Sequence, residues 1–429
     1  MVALLAASTL LGGCGRQPTS PSVTLSGSPT WSAAPTRTSQ TPTSPTLSPA
    51  SSASPAQLPV SSSPAASPTA TFEVPQRGAS APPWGAVGPG WFLVQEDLAT
   101  LSVADVTSSP GAETLWLVDP HGSRYLVLQW SADRAPEAAL VAWSSDARRA
   151  LFAGNGEVAS VDLMNDTVEA FAVPNLVAAG YTRPSGANIV ALSDDPATDP
   201  NEQAGVLRRF GMDGVIESVL ASDVSILGYP LPRWVYSRDG AVVYLPGAGG
   251  VRAVSNAGGQ ARQLDTIEAS TMLCSPVRLW DTHTILVSCD ESPGPRLWLA
   301  PDNGGTATAL TKPAGIDRAT SGTDWGSFDA VRAVSGQIFV QRPGACGGVD
   351  IATLDASGHA HQLAIPRSLG SDWLIGSAGN RIAVLSTTSE NCYPRGWFGF
   401  YDPVAHATQQ VINDLPNQIG AVAAVAFDF

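Results

Sequence analysis

Short hydrophobic runs, separated by glycine, aspartate, asparagine and proline, recur along the chain from residue 83 onward. From Leu140 the chain reads LVAW, RALFA, EVASVDL and VEAFAV, with the turn-forming segments SSDAR, GNG and MNDT between these runs. Runs of this length without a sustained 3.6-residue period predict β-strands rather than helices. Four strands joined by such tight turns predict one small antiparallel sheet.

The same four-strand pattern returns over residues 176–221, 232–264, 271–311, 324–365 and 371–412. One four-stranded sheet is too small to be stable alone, but copies packed around a ring bury both of their faces. The repeat therefore predicts a β-propeller.

The two ends of this region supply a seventh copy. The runs GWFLVQED, TLWLVDPHG and YLVLQW provide only a second, third and fourth strand, and the terminal GAVAAVAFDF provides a first strand. Pairing them closes the ring and leaves no unpaired edge strand. Seven repeats give roughly 49 residues each, near the period of propeller repeats, and six or eight blades also fit the pattern. We therefore predict an all-β, seven-bladed propeller closed by the C-terminal strand.

The N-terminal part of the chain has a different composition. Residues 16–82 are almost wholly serine, threonine, proline and alanine, and such a segment buries too little apolar surface to offset its ordering entropy. Ahead of it, MVALLAASTLLGGC contains an apolar run that is too short to span a bilayer and is typical of an export signal. The predicted organisation is a signal peptide (1–13), a disordered linker that acts as a tether (14–82) and the propeller (83–429).

The segment Leu11-Gly12-Gly13-Cys14 resembles the lipobox of bacterial lipoproteins. The resemblance implies cleavage before Cys14 and a lipid on that residue, which would hold the protein on the extracytoplasmic face of the cell membrane. The membrane would then be a partner through this lipid only. No lysine or arginine precedes the apolar run, which departs from the family pattern. The alternative is a buried N-terminal element with an incidental cysteine.

The charge of the chain argues against one class of partner. The net charge is −14, and Lys312 is the only lysine. An acidic chain without a cluster of basic residues lacks the electrostatic footprint of a phosphate-backbone binder, so we expect no nucleic-acid partner.

The four cysteines after Cys14 predict two disulfides in an exported protein. Cys274 lies in a first strand and Cys289 in the next strand of the same repeat, so antiparallel pairing would bring them side by side. Cys346 and Cys392 occupy the same loop of neighbouring repeats and form the second predicted pair. The alternative is unpaired, buried thiols.

Turns between the first and second strands carry a recurrent motif. Trp143-Ser144-Ser145-Asp146-Ala147-Arg148-Arg149 and Tyr236-Ser237-Arg238-Asp239-Gly240 are the fuller copies, and residues 379–384 keep its second half. These segments resemble the W/F-S-P-D-G-K-R-I-A-F signature of TolB-like and WD-repeat-like propellers, although Ala147 replaces the glycine. With the lipobox and the tether, the chain looks like a β-propeller lipoprotein of high-GC Gram-positive bacteria.

Three pairs of a charged residue and a tryptophan begin repeats and are the candidate binding residues. They are Arg233 with Trp234, Asp324 with Trp325, and Asp372 with Trp373. Loops between second and third strands open on the same face as the connections between blades, so these pairs could form a ligand-binding rim there. The alternative is that the tryptophans pack between blades.

Catalytic and metal-binding patterns are weak. The sequence contains no nucleophile elbow, HExxH motif, P-loop or CxxC. The acidic group Asp194, Asp195, Asp199 and Glu202 fits no defined calcium loop, and His359 with His361 lacks a nameable third ligand. We therefore predict no metal, no cofactor and no assigned catalytic residue.

The sequence leaves three functional hypotheses. The first is a monomeric, non-enzymatic binding protein that recognises a protein or a cell-envelope component. The second is an extracellular carbohydrate-active or other hydrolytic enzyme, whose carboxylates would converge at the channel mouth. The third is a structural or assembly factor.

Overall fold

A computed structural model describes most of the region after residue 74, which belongs to one unit, 64–429. The described residues are 75–78, 81–101, 108–131, 138–194, 204–225, 234–265, 267, 273–289, 296–311, 330–343, 349–388, 396–412 and 422–427. The predicted signal peptide, Cys14 and nearly all of the predicted tether lie outside them.

The described residues form seven strand units, which we number blades 1 to 7; blade 1 has five strands and the others have four. Blade 1 contains β1 (Gln76–Arg77), β2 (Phe92–Leu101), β3 (Ser108–Val118), β4 (Arg124–Trp130) and β29 (Val422–Ala426). Blade 2 contains β5 (Ala139–Trp143), β6 (Arg149–Gly154), β7 (Glu157–Asp162) and β8 (Val168–Ala172). Blade 3 contains β9 (Leu176–Tyr181), β10 (Ile189–Asp194), β11 (Ala204–Phe210) and β12 (Ile216–Ser225).

The remaining four blades repeat this plan. Blade 4 contains β13 (Val235–Tyr236), β14 (Val242–Ala248), β15 (Gly250–Ser255) and β16 (Arg262–Asp265). Blade 5 contains β17 (Leu273–Leu279), β18 (Thr284–Cys289), β19 (Arg296–Pro301) and β20 (Thr308–Ala309). Blade 6 contains β21 (Ala330–Val334), β22 (Gln337–Pro343), β23 (Val349–Leu354) and β24 (Ala360–Gln362). Blade 7 contains β25 (Gly370–Ala378), β26 (Arg381–Thr388), β27 (Gly396–Asp402) and β28 (Ala407–Ile412).

The strand pairings confirm the predicted all-β propeller. Blades 1, 2, 3, 6 and 7 are separate sheets, and blades 4 and 5 share one eight-stranded sheet. The two are joined because β13 is only two residues long, so the end of β14 is free to pair with β17 at Gly247–Cys274 and Ala248–Leu273. If each hydrogen-bonded sheet is counted once, the described residues form five single-blade sheets and one sheet that spans two blades. By strand units, they hold the predicted seven.

The C-terminal strand closes the ring, as predicted. β29 pairs antiparallel with β2 from Phe92–Ala426 to Glu96–Val422, so it is the first strand of blade 1. At the other edge of this blade, β1 adds a fifth strand by pairing with β4. Because β1 precedes residue 83, strand structure begins inside the segment that the sequence assigned to the tether.

Aspartates close the hairpin turns of the blades. In eight turns of the described chain an aspartate Oδ1 accepts a hydrogen bond from the backbone N–H two residues later, a turn that suits this side chain. The residues are Asp119, Asp146, Asp162, Asp213, Asp239, Asp281, Asp355 and Asp402. All eight lie in first-to-second-strand or third-to-fourth-strand turns, which occupy one end of each blade. We call this the turn end.

Packing between blades builds the core. Phe92 and Val94 of blade 1 pack with Phe398 and Phe400 of blade 7, and these four side chains are fully buried. The short 3₁₀ helix at Trp84–Ala86 places Trp84 against the cluster shared by blades 1 and 2. Within the described ranges, no helix has the length and apolarity to cross a membrane.

Candidate functional site

A cleft of about 650 Å³ lies at the turn ends of blades 3, 4 and 5. Its lining comprises Arg183, Pro184, Trp234, Val235, Tyr236, Ser237, Arg238, Val277, Arg278, Leu279, Trp280, Asp281 and Thr282. These residues come from the first strands of blades 4 and 5 and from the first turns of all three blades. We call this site the arginine cleft.

Contacts between the first turns of neighbouring blades position one wall of the arginine cleft. Gly240, with φ +71°, ends the first turn of blade 4, and its Cα lies so close to the Arg183 carbonyl that a Cβ would overlap the oxygen. Gly186 (φ +65°) lies where the first turn of blade 3 contacts blade 2. A Cβ added to Gly186 would lie 3.1 Å from the Ser144 Cβ atom. The turn between these glycine contacts includes the cis peptide Arg183–Pro184. Successive first turns therefore touch, which holds Arg183 beside the first strand of blade 4.

Three guanidinium groups give the arginine cleft a positive lining. Arg238 is exposed, Arg183 and Arg278 are half-buried, and Asp281 is the carboxylate among the lining residues. Arg278 donates to the carbonyl oxygens of Leu279 (3.1 Å) and Val331 (3.2 Å). These two hydrogen bonds orient the Arg278 guanidinium in the wall of the cleft.

The Tyr236 hydroxyl is the unusual polar group of the arginine cleft. The residue is only 8% exposed, and its hydroxyl oxygen is buried without a hydrogen bond to any described residue. Burial raises the pKa of this hydroxyl, while the charges of Arg183 and Arg209 lower it, as does a contact with the Trp234 indole that falls short of hydrogen-bond geometry. Because a buried polar group without a partner costs stability, the hydroxyl is a donor available to a bound ligand.

Two tryptophans contribute to the apolar lining. Trp234 is 6% exposed and packs on the backbone of blade 3, where a Cβ on Gly180 would lie 3.4 Å from its Cζ2 atom. Trp280 is half-buried between blades 5 and 6. The arginine cleft thus combines positive charge with apolar and aromatic surface, as small-ligand sites do.

The structure places the described tryptophans of the predicted charged–tryptophan pairs in different parts of the propeller. Trp234 lines the arginine cleft at the turn end, whereas Trp373 is half-buried in the cluster between blades 1 and 7. Both described tryptophans therefore pack between blades, which was the alternative interpretation. Arg233, Asp324 and Trp325 lie outside the described residues, as do most loops of the face on which we expected the rim.

Asp372 is buried at 7% exposure near the start of β25. Burial raises the pKa of its carboxyl, hydrogen bonds from Ser386 and Ser368 oppose the rise, and the Asp350 charge adds to it. Its Oδ1 atom has no hydrogen-bond partner among the described residues. The carboxyl is therefore held in an environment that disfavours its charged form.

The predicted cysteine and metal-ligand candidates are partly described. Cys274 and Cys289 are directly opposite in β17 and β18 and are joined by a disulfide bond. Cys346 and Cys392 lie outside the described residues, as do Asp195, Asp199 and Glu202. Asp194 is exposed, and His361 pairs with Asp355 at 2.9 Å. The described part of the chain contains no group of three or more metal-ligating side chains.

Most residues of the arginine cleft were missed from the sequence as functional residues. Arg238 and Tyr236 belong to a segment that was interpreted only as a marker of architecture. The available signal was Arg238 itself, because it stands where the propeller signature has proline. Arg183, Arg278 and Trp280 are in the first turns or first strands of other blades, and their proximity depends on how the blades pack.

Comparisons with known proteins relate the chain to several propellers. No family model matches it, and no curated protein matches it. A puromycin-hydrolyzing peptidase from Mycobacterium tuberculosis has 12% identity and a TM-score of 0.45, with 81% of this chain and 56% of the peptidase covered. The Cps50 (Swd1) β-propeller domain of Myceliophteria thermophila has 13% identity and a TM-score of 0.43, with 66% and 90% covered.

A protein assigned as TolB from Agrobacterium tumefaciens has 13% identity and a TM-score of 0.34, with 79% of this chain and 99% of that protein covered. The chain thus spans just over half the length of the peptidase and nearly all of the TolB protein. Structural neighbours of this chain therefore include TolB and Swd1 propellers as well as a peptidase, and they do not share one activity.

Proposed function

We propose that this propeller is a binding protein whose ligand occupies the arginine cleft. The observation that carries the proposal is the composition of that cleft. Three arginines, two tryptophans and a buried tyrosine hydroxyl without a hydrogen-bond partner among the described residues converge from three blades. Polar groups that converge in a largely apolar concavity are the usual features of a ligand site. The ligand is a protein or a component of the cell envelope, and the protein acts as a monomer.

We further propose that the protein works outside the membrane. The lipobox-like sequence ending at Cys14 and the serine- and proline-rich residues 16–82 support a lipid anchor followed by an extended tether. Such a tether would give the arginine cleft access to ligands at some distance from the bilayer. The alternative of a hydrolytic enzyme has no specific support among the described residues.

Photo-crosslinking in intact cells tests the binding proposal. A photoreactive amino acid replaces exposed Thr282 in the arginine cleft, which leaves the three arginines in place, and a matched control places it at Val404, a 76% exposed turn residue of blade 7. We expect a discrete crosslinked product from position 282 and none from position 404. Equal labelling from both positions, or no product from either, would overturn the proposal.

The anchor is tested separately with Cys14→Ala. We expect this variant to leave the membrane fraction, because the lipid is attached to the cysteine sulfur. A variant that stays membrane-bound would overturn the anchoring proposal and leave the binding proposal standing.

A further inference from the structure

We propose that the outer edge of blade 2 accepts an extended, apolar segment of a partner polypeptide as an added strand. The surface consists of β8 (Val168–Ala172) with Val215, Ile216 and Val219 of blade 3, and we call it the edge site. It shares no residue with the arginine cleft, so it is a second binding surface. An added strand that blade 1 already holds, and exposed apolar residues at the equivalent place beside blade 2, carry this inference.

Blade 1 shows how this propeller holds an extra strand. β1 pairs antiparallel with the outer strand β4, and Arg77 lies opposite Leu128. The Arg77 side chain also reaches the third-to-fourth-strand turn of blade 2, where its Nε atom donates to Asp166 Oδ1. An added strand therefore pairs with the outer edge of one blade and places a side chain against the turn of the next blade.

Blade 2 offers the same place for a strand. Leu128 of β4 and Phe171 of β8 are equivalent, because each lies opposite the third-strand residue that precedes its turn aspartate by four positions. The outer edge of β8 pairs with no other described strand. A strand added to this edge would therefore place one residue opposite Phe171, as Arg77 is placed opposite Leu128.

At this position blade 3 presents apolar side chains where blade 2 presents a carboxylate. Gly214 is equivalent to Asp166, since both have a left-handed backbone (φ +79° and +57°) and each precedes the residue whose carbonyl closes its turn. Gly214 packs directly on Phe171, where an added Cβ would lie 2.7 Å from the Phe171 Cβ atom. The next residues are Val215, 59% exposed, and Ile216, 54% exposed. An added residue opposite Phe171 would thus contact apolar side chains.

A β-bulge aims a further apolar residue at the edge site. The pairing of β12 with β11 skips one residue at Glu217, so Ile216 and Val219 lie on the same face although they are three positions apart. That face is directed toward blade 2, because Phe210, opposite Ile216, packs against Phe171 with ring centroids 5.3 Å apart. Val219 is 50% exposed. The bulge therefore exposes two branched apolar side chains beside the free edge of β8.

Exposed apolar side chains are concentrated at the edge site. In the described part of the chain five large hydrophobic residues are exposed, and three of them are Val215, Ile216 and Val219. Exposed apolar residues that are grouped in this way mark interaction sites, because their contact with water is unfavourable. Natural sheets protect most of their edges, so a free edge beside apolar side chains is typical of strand addition.

The size of the edge site selects a peptide segment rather than a second copy of the chain. The five residues of β8 extend over about 17 Å, so one added strand about 10 Å wide covers roughly 170 Å². A stable pairing of two globular proteins buries about 800 Å² on each partner. The edge site therefore holds one extended segment of about five residues, whose alternate side chains are apolar and contact Val215 and Ile216.

Fluorescence anisotropy with labelled peptides and the purified full-length chain tests the edge site. The probe is Lys-Val-Thr-Val-Thr-Val-Lys. One control, Lys-Ser-Thr-Ser-Thr-Ser-Lys, lacks the apolar side chains, and the other, Lys-Val-Thr-Pro-Thr-Val-Lys, lacks a backbone N–H in its centre. We expect the probe to bind at least about tenfold more tightly than either control. Equal affinity for the probe and one of the controls would overturn the inference.

Hydrogen exchange locates the bound probe. Binding should slow exchange in Val168–Ala172, whose outer edge gains hydrogen bonds. The outer strand of blade 7, Ala407–Ile412, is the matched control and should exchange at an unchanged rate. Protection that is confined to strands other than β8 would overturn the placement.

Substitutions separate peptide binding from folding. Ile216→Lys should weaken the probe at least about fivefold. Its matched control, Val404→Lys at an exposed turn residue of blade 7, should leave affinity unchanged. Both side chains are exposed, so neither substitution should shift the unfolding transition. Equal affinity of the probe for Ile216→Lys and for the natural protein would overturn the inference.

Ile216→Glu tests the equivalence with blade 1. A peptide with arginine in place of the central valine should bind this variant about two- to fivefold more tightly than it binds the natural protein. The new ion pair would reproduce that of Arg77 with Asp166. Equal affinity of this peptide for both proteins would overturn the proposed position of the added strand.

Sedimentation equilibrium distinguishes a peptide partner from a second copy of the chain. We expect a monomer at all concentrations, both for the natural protein and for Ile216→Lys. A dimer that dissociates in Ile216→Lys would show that a second copy covers the edge site, and it would overturn the assignment to a peptide segment.

Discussion

Trp143 of blade 2 meets Phe427, just after the last strand, edge to face, with ring centroids 4.9 Å apart and planes at 68°. The Phe427 N–H also donates to the Trp91 carbonyl oxygen at 2.9 Å. The end of β29 is therefore fixed to blade 2 by aromatic packing, while its backbone pairs with β2. Ring closure depends on both contacts.

Phe427→Ala tests this closure. The side chain is 9% exposed, and truncation of a buried phenylalanine typically costs about 3–5 kcal/mol, so we expect a loss of about 3 kcal/mol in the free energy of unfolding. Urea denaturation followed by tryptophan fluorescence measures the change. Phe427→Leu, which keeps most of the apolar volume, is the control and should cost less than half as much. A loss below about 0.5 kcal/mol in the alanine variant would contradict the proposed closure contact.

The disulfide of blade 5 should contribute strongly to stability. Cys274 and Cys289 are 15 residues apart, and a bond that closes a loop of this length contributes about 3 kcal/mol. We expect the Cys274→Ala, Cys289→Ala double variant to lose about this amount in chemical denaturation without reductant. Addition of a strong reductant should destabilise the natural protein more than the variant, which keeps only the predicted Cys346–Cys392 pair. If the reductant destabilises both proteins equally, the Cys274–Cys289 bond is not the source of the lost stability.

Gly240→Ala should be more damaging than a chemically equal change elsewhere. Both Gly240 (φ +71°) and Gly379 (φ +61°) are in first turns with left-handed backbones, but only a Cβ at Gly240 meets the Arg183 carbonyl. We expect Gly379→Ala to cost about 1 kcal/mol from backbone strain and Gly240→Ala about 3 kcal/mol from strain and overpacking. Thermal unfolding of the pair measures the difference. Equal losses would mean that the contact between the turns of blades 3 and 4 is unimportant.

Turn aspartates should make the protein sensitive to acid. Hydrogen bonds hold the pKa values of four turn aspartates below their ordinary value of about 3.9. The main donors are Ser237 to Asp239, the His283 N–H to Asp281, His361 to Asp355 and the Ala405 N–H to Asp402. A lowered folded-state pKa contributes stability that is present above about pH 4 and lost as pH falls through the folded value. The free energy of unfolding should therefore decline below about pH 4. Asp355→Asn should show a shallower decline than the natural protein, and an unchanged slope would contradict this account.

Asp372 should show the opposite dependence. Burial raises its carboxyl pKa, so its contribution to stability falls as pH rises from about 3.9 through the folded value. Asp372→Asn removes this titration and should make the protein more stable than the natural one near pH 7, with a smaller advantage near pH 4. Denaturation at the two pH values measures both differences. A variant that is less stable at pH 7 would show that the charged carboxylate is favoured in the fold.

The sequence alone was sufficient for the features that depend on local pattern. Alternating runs and turn residues predicted the strands, the unpaired first strand at residues 420–429 predicted closure, and strand register predicted the Cys274–Cys289 bond. Packing between blades was not predictable in this way. Nothing near Arg183 in the chain indicates that its carbonyl contacts Gly240 or that its side chain lines a cleft with Arg278. Trp234 was among the candidate binding residues, but the cleft that it lines is at the turn end rather than at the predicted rim.

Main-chain hydrogen bonds between β14 and β17 join blades 4 and 5. Neighbouring propeller blades ordinarily contact each other only through side chains. Sliding of blade 4 against blade 5 would have to break the pairings of Gly247 with Cys274 and of Ala248 with Leu273. A molecule that binds across blades 4 and 5 at this end would therefore contact a surface that backbone hydrogen bonds already hold in place before binding.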